Sequence, residues 1–271
     1  MPELPEVETT RRGVAPHISG RTVRDVVVRE RRLRWEVPRR LPAKLRGTVL
    51  AAPQRRGKYL LFPAENGTAI MHLGMSGSLR MVIHDTPPAK HDHIDIVLDG
   101  PYRMRYNDPR RFGALLWTRA DPLRHPRLAR LGPEPFDPVF CGDYLRRLAH
   151  RRKTSIKQFI MDASVVVGVG NIYANEALYR AGINPARGAG RVGAERMSRL
   201  ARAATEVLGE AIEAGGTTLR NFVGGDGEPG YFQFDLDVYG REGQPCSGCG
   251  TAIRRRWLGQ RATFFCPACQ R

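Results

Sequence analysis

The chain closes with Cys246-Ser-Gly-Cys249-Gly-Thr-Ala-Ile-Arg-Arg-Arg-Trp-Leu-Gly-Gln-Arg-Ala-Thr-Phe-Phe-Cys266-Pro-Ala-Cys269-Gln-Arg271. Two Cys-x-x-Cys pairs separated by sixteen residues have the spacing of a zinc site in which each pair forms one knuckle. Because all four candidate ligands (Cys246, Cys249, Cys266 and Cys269) are thiolates, we expect a single structural zinc ion that holds a β-hairpin rigid. Two disulfides or four unrelated thiols are the alternative.

The composition favours a polyanionic partner. The formal net charge is +17, and most of the positive charge is arginine, which binds phosphates and base edges bidentately. Four arginines, Arg254–Arg256 and Arg261, lie between the cysteine pairs. A genomic bias toward arginine codons would explain why arginine is used in place of lysine, but it would not explain the large excess of positive over negative charge. Ribosomal and membrane-surface proteins are also basic, so charge alone selects no function.

The length of 271 residues predicts roughly two domains. No apolar run approaches the ~20 residues that span a bilayer, and the acidic start Met1-Pro-Glu-Leu-Pro-Glu lacks an apolar signal region. We therefore expect a cytoplasmic protein without membrane association, in a compartment where thiols stay reduced and bind metal.

The pattern along the chain predicts an α+β protein of several domains. A first helix around Pro5 is followed by short alternating segments that indicate an antiparallel β-sandwich over residues 1–118. The predicted strands are Thr22–Glu30, Gly47–Ala52, Lys58–Pro63, His93–Leu98 and Tyr102–Tyr106. Residues 119–142 are rich in Pro and Arg and predict a linker. A helical domain over residues 143–240 follows, with a glycine-rich loop at 217–232, and the cysteine finger occupies 241–271.

Pro2 is a candidate nucleophile. Methionine before proline is normally removed in the cytosol, which would expose a secondary amine with a reference pKa of ~7.7–8.0. Such an amine attacks an aldehyde-like carbon to give an iminium ion, an electron sink. Glu3 and Glu6 are three residues apart and so can share a helix face beside it, where a carboxylic acid could protonate a leaving oxygen and a carboxylate could stabilise a cation. The alternative is a plain chain start followed by acidic residues that favour a helix N-terminus.

Three glycine-containing turns are candidates for nucleic-acid contact. Gly168–Tyr173 leads into a helix, whose N-terminus presents N–H groups to phosphate. Asn107–Gly113 carries Arg110, Arg111 and Phe112, a set suited to reading and stacking on bases. His72–Gly77 has Met75 at its tip. Taken singly, each is equally well explained as an ordinary turn.

These motifs occur together in the order of one family. Met1–Thr9, Arg56-Gly-Lys-Tyr59, His72–Gly77, Asn107–Gly113, Gly168–Tyr173, Gly230-Tyr-Phe-Gln233 and the four-cysteine finger closely resemble the bacterial formamidopyrimidine-DNA glycosylases over nearly the whole chain. The resemblance implies a helix–two-turn–helix domain before the finger, and base-excision repair of oxidised purines as a glycosylase and abasic-site lyase. It also implies that the 217–232 loop is a lid over the everted base.

The resemblance implies a role for each matching residue. Pro2 would attack the sugar C1′, Glu3 would help open the sugar ring, Glu6 would support Glu3, and Lys58 would assist catalysis at the lesion-side phosphate. Residues implied to contact DNA are Met75, His93, Arg110, Arg111, Phe112, Lys157, Asn171 and Arg261. Among these, Met75 and Phe112 would fill the stack and Arg110 would read the orphaned cytosine. The expected partner is duplex DNA with an oxidised purine opposite cytosine, bound by a monomer in the bacterial cytosol or nucleoid.

Two other functions fit part of the sequence. An endonuclease VIII-like glycosylase for oxidised pyrimidines shares the amine nucleophile and the finger, although the Pro-Glu-Leu-Pro-Glu start favours the purine enzyme. A non-catalytic zinc-ribbon protein that binds DNA or RNA would keep the finger and the basic surface but would have no use for a processed Pro2.

Overall fold

The computed structural model describes residues 2–215 and 236–271. These residues form two compact units: residues 2–129 with 214–215, and residues 130–213 with 236–271. The predicted lid loop, 217–232, lies outside the described residues. Within the described ranges no helix is both long and apolar enough to cross a membrane.

The first unit is a two-sheet sandwich with a helix packed beside it. Its elements are α1 (Leu4–Ile18), β1 (Val23–Val28), α2 (Leu41–Leu45), β2 (Gln54–Arg56), β3 (Tyr59–Ala64), β4 (Gly67–His72), β5 (Ser78–Ile83), β6 (Asp92–Leu98), β7 (Tyr102–Asn107) and β8 (Ala114–Thr118). One sheet has the order β1-β6-β7-β5 and the other β2-β3-β4-β8. All pairings are antiparallel, so the predicted antiparallel β-sandwich is confirmed.

The core lies between the two sheets because alternate residues of each strand point inward. Ile94 and Ile96 of β6 and Met104 of β7 meet Leu60 and Met71 of the other sheet in one buried cluster. Burial of each such side chain contributes roughly 1.5–3 kcal/mol, which fixes the strand registers.

One strand prediction is wrong. Gly47–Ala52 forms isolated bridges, in which Val49 pairs with Thr22 and Leu50 pairs with Ala64. Since Thr22 precedes β1 in one sheet and Ala64 ends β3 in the other, the segment passes between the sheets and does not extend along either.

The second unit is helical and carries the cysteine hairpin. Its elements are α3 (Gly142–Ala149), α4 (Ile156–Ile160), α5 (Asn171–Arg180), α6 (Ala194–Glu213), β9 (Arg254–Leu258) and β10 (Arg261–Phe265). The predicted apolar stripe of α6, which includes Met197, Leu200 and Leu208, is buried. β9 and β10 pair antiparallel, as expected for the predicted hairpin.

Candidate functional site

Pro2 and the two carboxylates that follow it are buried. Pro2 is buried, and Glu3 and Glu6 are only 2% and 1% exposed. Helix α1 begins directly afterwards, and the N–H of Glu3 donates to Glu6 Oε2 at 2.8 Å, the usual way in which an acidic third residue caps a helix start. Glu6 therefore fixes the backbone next to Pro2, and the Glu3 side chain accepts the backbone N–H of Glu6 in return.

A short hairpin presents Lys58. The turn between β2 and β3 consists of Gly57, whose φ is +56°, and Lys58. Arg55 donates to Glu8 of α1 at 3.1 Å and to the carbonyl of Gly57 at 3.0 Å, so it joins the helix of the chain start to the lysine turn. Burial raises the pKa of Glu8, but hydrogen bonds from Arg11 and Arg12 and the charge of Arg55 bring it below its usual value. Sequence reasoning gave neither residue a role: Glu8 lies within the Met1–Thr9 motif but was not singled out, and Arg55 lies just before the Arg56–Tyr59 motif.

Two neighbouring turns expose large apolar side chains. The Met75 turn (residues 73–77) joins β4 to β5, and the Arg110 turn (residues 108–113) joins β7 to β8. Met75 is 38% exposed and Phe112 is 42% exposed. The guanidinium carbon of Arg110 lies 4.7 Å from the centre of the Phe112 ring. An apolar pair with an arginine beside it has the chemistry of a side-chain wedge that enters a base stack.

His72 supports the Met75 turn as a neutral imidazole. Its Nδ1 accepts the N–H of Gly74 at 3.0 Å, so the proton is carried by Nε2. Burial, together with the charges of Lys58 and Arg34, lowers the pKa of His72 to about 4, against a smaller opposing effect of Asp108. Sequence reasoning quoted His72 within a motif but gave it no role.

His93 and Arg111 already have protein partners. His93 is buried, and its Nε2 bonds to the carbonyl of Asp108 at 2.8 Å. Arg111 is exposed, has a φ of +56° and pairs with Glu30 at 3.1 Å. The structure thus places His93 under the Arg110 turn and Arg111 on its surface. Their contact with DNA stays a prediction.

In the second unit, two candidate phosphate-binding residues converge on β10. Lys157 is fully buried, and its ammonium donates to the carbonyl of Ala262 at 2.9 Å and to Thr263 Oγ1 at 2.7 Å. Asn171, the first residue of α5, donates to the same carbonyl at 3.1 Å. Arg261 is the exposed residue just before Ala262. Lys157 and Asn171 therefore hold the strand from which Arg261 extends.

The four cysteine sulfurs form one cluster. They all lie within 4.8 Å of one another, with 3.5 Å between Cys249 and Cys266 and 3.9 Å between Cys246 and Cys269. Four sulfurs placed tetrahedrally at ~2.3 Å from one ion would be ~3.8 Å apart, whereas a disulfide needs ~2.05 Å. The donor set fits a tetrahedral metal ion, and the disulfide alternative is wrong because all four are free thiols.

Comparison with known proteins agrees with this geometry. Residues 1–115 match the family model of the formamidopyrimidine-DNA glycosylase N-terminal domain, and residues 131–223 match the model of the formamidopyrimidine-DNA glycosylase H2TH domain. The formamidopyrimidine-DNA glycosylases of Methylococcus capsulatus and Pseudomonas putida are 60% and 59% identical, each over the full length of both chains.

Solved structures give the same result. The MutM (Fpg) protein of Thermus thermophilus is 42% identical, with a TM-score of 0.89 over 99% of this chain and 98% of that chain. A Lactococcus lactis Fpg mutant in complex with a Fapy-dG containing DNA is 32% identical, with a TM-score of 0.93 over 100% of both chains.

The fold, the buried chain start and the cysteine hairpin together define a DNA glycosylase of base-excision repair. More specifically, the chain belongs to the formamidopyrimidine-DNA glycosylase family.

Proposed function

We propose that this enzyme excises oxidised purines from duplex DNA and then cleaves the strand, with the amine of Pro2 as its nucleophile. The observation that carries the proposal is the buried Pro2–Glu3–Glu6 cluster, in which the Glu3 N–H to Glu6 Oε2 bond fixes the backbone at the chain start. The substrate class is supported by the Lactococcus lactis relative, which was solved with a Fapy-dG containing DNA.

The reaction begins with the Pro2 nitrogen attacking C1′ of the damaged nucleotide. The N–C1′ bond forms as the bond from C1′ to the base breaks; the base leaves with that electron pair and takes up the proton that the Pro2 amine loses. The sugar ring then opens as Glu3 protonates its oxygen. The resulting iminium acidifies the C2′ proton, so loss of that proton expels the 3′ phosphate. Loss of the C4′ proton then expels the 5′ phosphate in a second elimination, and water hydrolyses the iminium to release the Pro2 amine. Lys58 stabilises the charge at the lesion-side phosphate.

Base extrusion is the role of the exposed turns. Removing a base from the stack costs a few kcal/mol, and Met75 with Phe112 recovers part of that cost by filling the gap. Arg110 then contacts the orphaned base, and its fork of donors suits the acceptors of cytosine. The preference for a lesion opposite cytosine rests on this contact.

Phosphate binding involves Arg261, which β10 presents at its exposed start. Lys157 and Asn171 donate hydrogen bonds to the carbonyl of Ala262, the residue after Arg261, and so restrict the motion of β10. Less conformational entropy is therefore lost when Arg261 binds phosphate. We infer that the cysteine cluster holds one zinc ion, which keeps the β9–β10 hairpin folded and takes no part in the reaction.

Borohydride trapping tests the proposal. The mature protein, shown by intact mass to lack Met1, is incubated with duplex DNA containing 8-oxoguanine opposite cytosine and reduced, and the cross-linked peptide is mapped. We expect an adduct on Pro2. Pro2→Gly should lose most excision and keep most duplex affinity, whereas Pro16→Ala, an exposed proline of α1, should behave as the parent.

Full excision by Pro2→Gly, or an adduct on another residue, would refute the nucleophile. A parallel thymine glycol duplex distinguishes the pyrimidine-specific alternative, which predicts faster cleavage of that substrate. A protein that binds both duplexes but forms no adduct would be a zinc-ribbon binder.

A further inference from the structure

The two turns that carry the wedge side chains are the places where the chain crosses from one sheet to the other. β4 and β8 are paired in one sheet, and β5 and β7 are paired in the other. His72 at the end of β4 is opposite Ala114, and Ser78 at the start of β5 is opposite Asn107. The Met75 turn and the Arg110 turn therefore run side by side across the same edge of the sandwich.

A single buried carboxylate links these turns. Asp108 is fully buried. Its Oδ1 accepts from the hydroxyl of Ser76 at 2.8 Å, and its Oδ2 accepts from the hydroxyl of Tyr106 at 2.9 Å and from the N–H of Gly113 at 2.8 Å. Ser76 in turn accepts the N–H of Arg110 at 3.3 Å.

The backbone of Asp108 also anchors the second turn to the sheet. Its N–H donates to the carbonyl of His91 at 3.1 Å, and its carbonyl accepts from His93 Nε2 at 2.8 Å. These two bonds, to His91 and His93, fix the backbone that carries the carboxylate. In the part of the chain that the structure describes, Asp108 makes no ion pair, so hydroxyl and amide donors compensate its charge. Neutral donors that converge on a buried carboxylate are costly to remove.

Close packing leaves the turns little room to slide past each other. A Cβ at Gly74 would lie 2.5 Å from the backbone of Phe112, and a Cβ at Gly113 would lie 1.7 Å from the hydroxyl of Tyr106. Glycine at position 74 lets the Met75 turn touch the backbone of the Arg110 turn, and glycine at position 113 leaves room for the Tyr106 hydroxyl that donates to Asp108. The spacing between Met75 and Phe112 is therefore set by the Asp108 bonds and by this contact.

We infer that Asp108 is a positioning residue for base extrusion: it holds Met75, Arg110 and Phe112 as one preassembled wedge. The inference rests on the proposed function, since it needs the wedge to enter the stack. It assigns Asp108 no contact with substrate. Without the carboxylate, each turn would have to become ordered while the wedge enters the base stack. Base extrusion would then be slower, whereas the chemical step at Pro2 would keep its rate.

The test compares two substrates of one variant. Asp108→Ala should slow excision of 8-oxoguanine from a duplex by at least about 30-fold, which is about 2 kcal/mol at 1.36 kcal/mol per tenfold. The rate of trapping on a single-stranded abasic oligonucleotide should change by less than about threefold, because this substrate has no base stack for the wedge to fill. Asp108→Asn keeps an acceptor for Gly113 and should recover most of the duplex rate. A 2-aminopurine placed beside the lesion should show a smaller fluorescence rise with Asp108→Ala.

Two further variants keep the test decisive. Asp95→Asn alters another fully buried carboxylate of the same unit, and it should lower stability without changing the ratio of the two rates. If Asp108→Ala does not fold, Ser76→Ala, which removes one donor to Asp108, should give a smaller duplex-selective loss. Equal loss on both substrates, or no loss on the duplex, would overturn the inference while leaving the function intact. Failure of the parent protein to trap any DNA would instead refute the proposed function.

Discussion

Replacing His72 by asparagine should remove a pH dependence of stability that the structure predicts. In the folded protein the pKa of His72 lies at about 4 because the ring is buried near Lys58 and Arg34, whereas its ordinary value is 6.5. The unfolded chain therefore binds a proton that the folded chain does not, and stability falls as the pH drops from 6.5 to 4. The pKa difference corresponds to about 3 kcal/mol. Because His72 is half-buried and not fully enclosed, solvent screens part of this difference, and we expect about 2 kcal/mol.

Asparagine is the matched replacement because its Oδ1 takes the place of the imidazole Nδ1 that accepts from Gly74. It preserves this bond but cannot titrate. Urea unfolding at half-unit steps between pH 7.5 and pH 4.5 should give a parent curve that falls toward acid and a variant curve that is flatter. The pKa of His125 is also lowered, first by burial and then by Arg127. It contributes in the same direction to both proteins and cancels in the difference.

The same protonation should affect function. A proton on Nδ1 ends its acceptance of the Gly74 N–H and loosens the Met75 turn. Duplex excision by the parent should therefore decline below about pH 5 more steeply than excision by His72→Asn. Parallel unfolding curves for the two proteins, or a pH-independent parent, would show that the imidazole is not held neutral as the structure indicates.

Three more predictions concern the two units. Cys249→Ala should lose the metal and DNA binding together, measured by elemental analysis and by titration of a fluorescent duplex; normal binding without metal would contradict a structural site. Asp95→Asn should lower the free energy of unfolding in urea at pH 7 by about 2 kcal/mol. Burial raises the pKa of Asp95, but its partners Arg105 and Arg29 bring it down to about 2. A loss under about 0.5 kcal/mol would refute this. Glu176→Ala removes the acceptor of three backbone N–H groups, at residues 237–239, and should cost about 3 kcal/mol; an unchanged unfolding midpoint would disprove that anchor.

Much of the architecture follows from local patterns. The alternation in Tyr102–Tyr106 and the stripe in α6 identified real elements because burial on one side of a strand or helix imposes its period on the sequence. Gly47–Ala52 misled the prediction because a short apolar stretch looks the same whether it pairs with one strand or bridges two.

The chemical groups available are evident from the order of amino acids alone: a proline at position 2, carboxylates at positions 3 and 6, and four thiols in two pairs. Side-chain type and short spacing are enough for these features, since each motif acts within a single turn or hairpin.

The contacts that hold the Met75 turn, the Arg110 turn and the Arg261 strand form only in the folded chain. Asp108 meets Ser76 across 32 positions of sequence, and Lys157 meets Thr263 across 106. Contacts at such separations leave no periodic signal, because nothing in the local chain constrains which distant residue will fill the space. The proposed wedge and the position of the Arg261 strand therefore depend on packing, whereas the proposed nucleophile and metal ligands can be identified in the sequence.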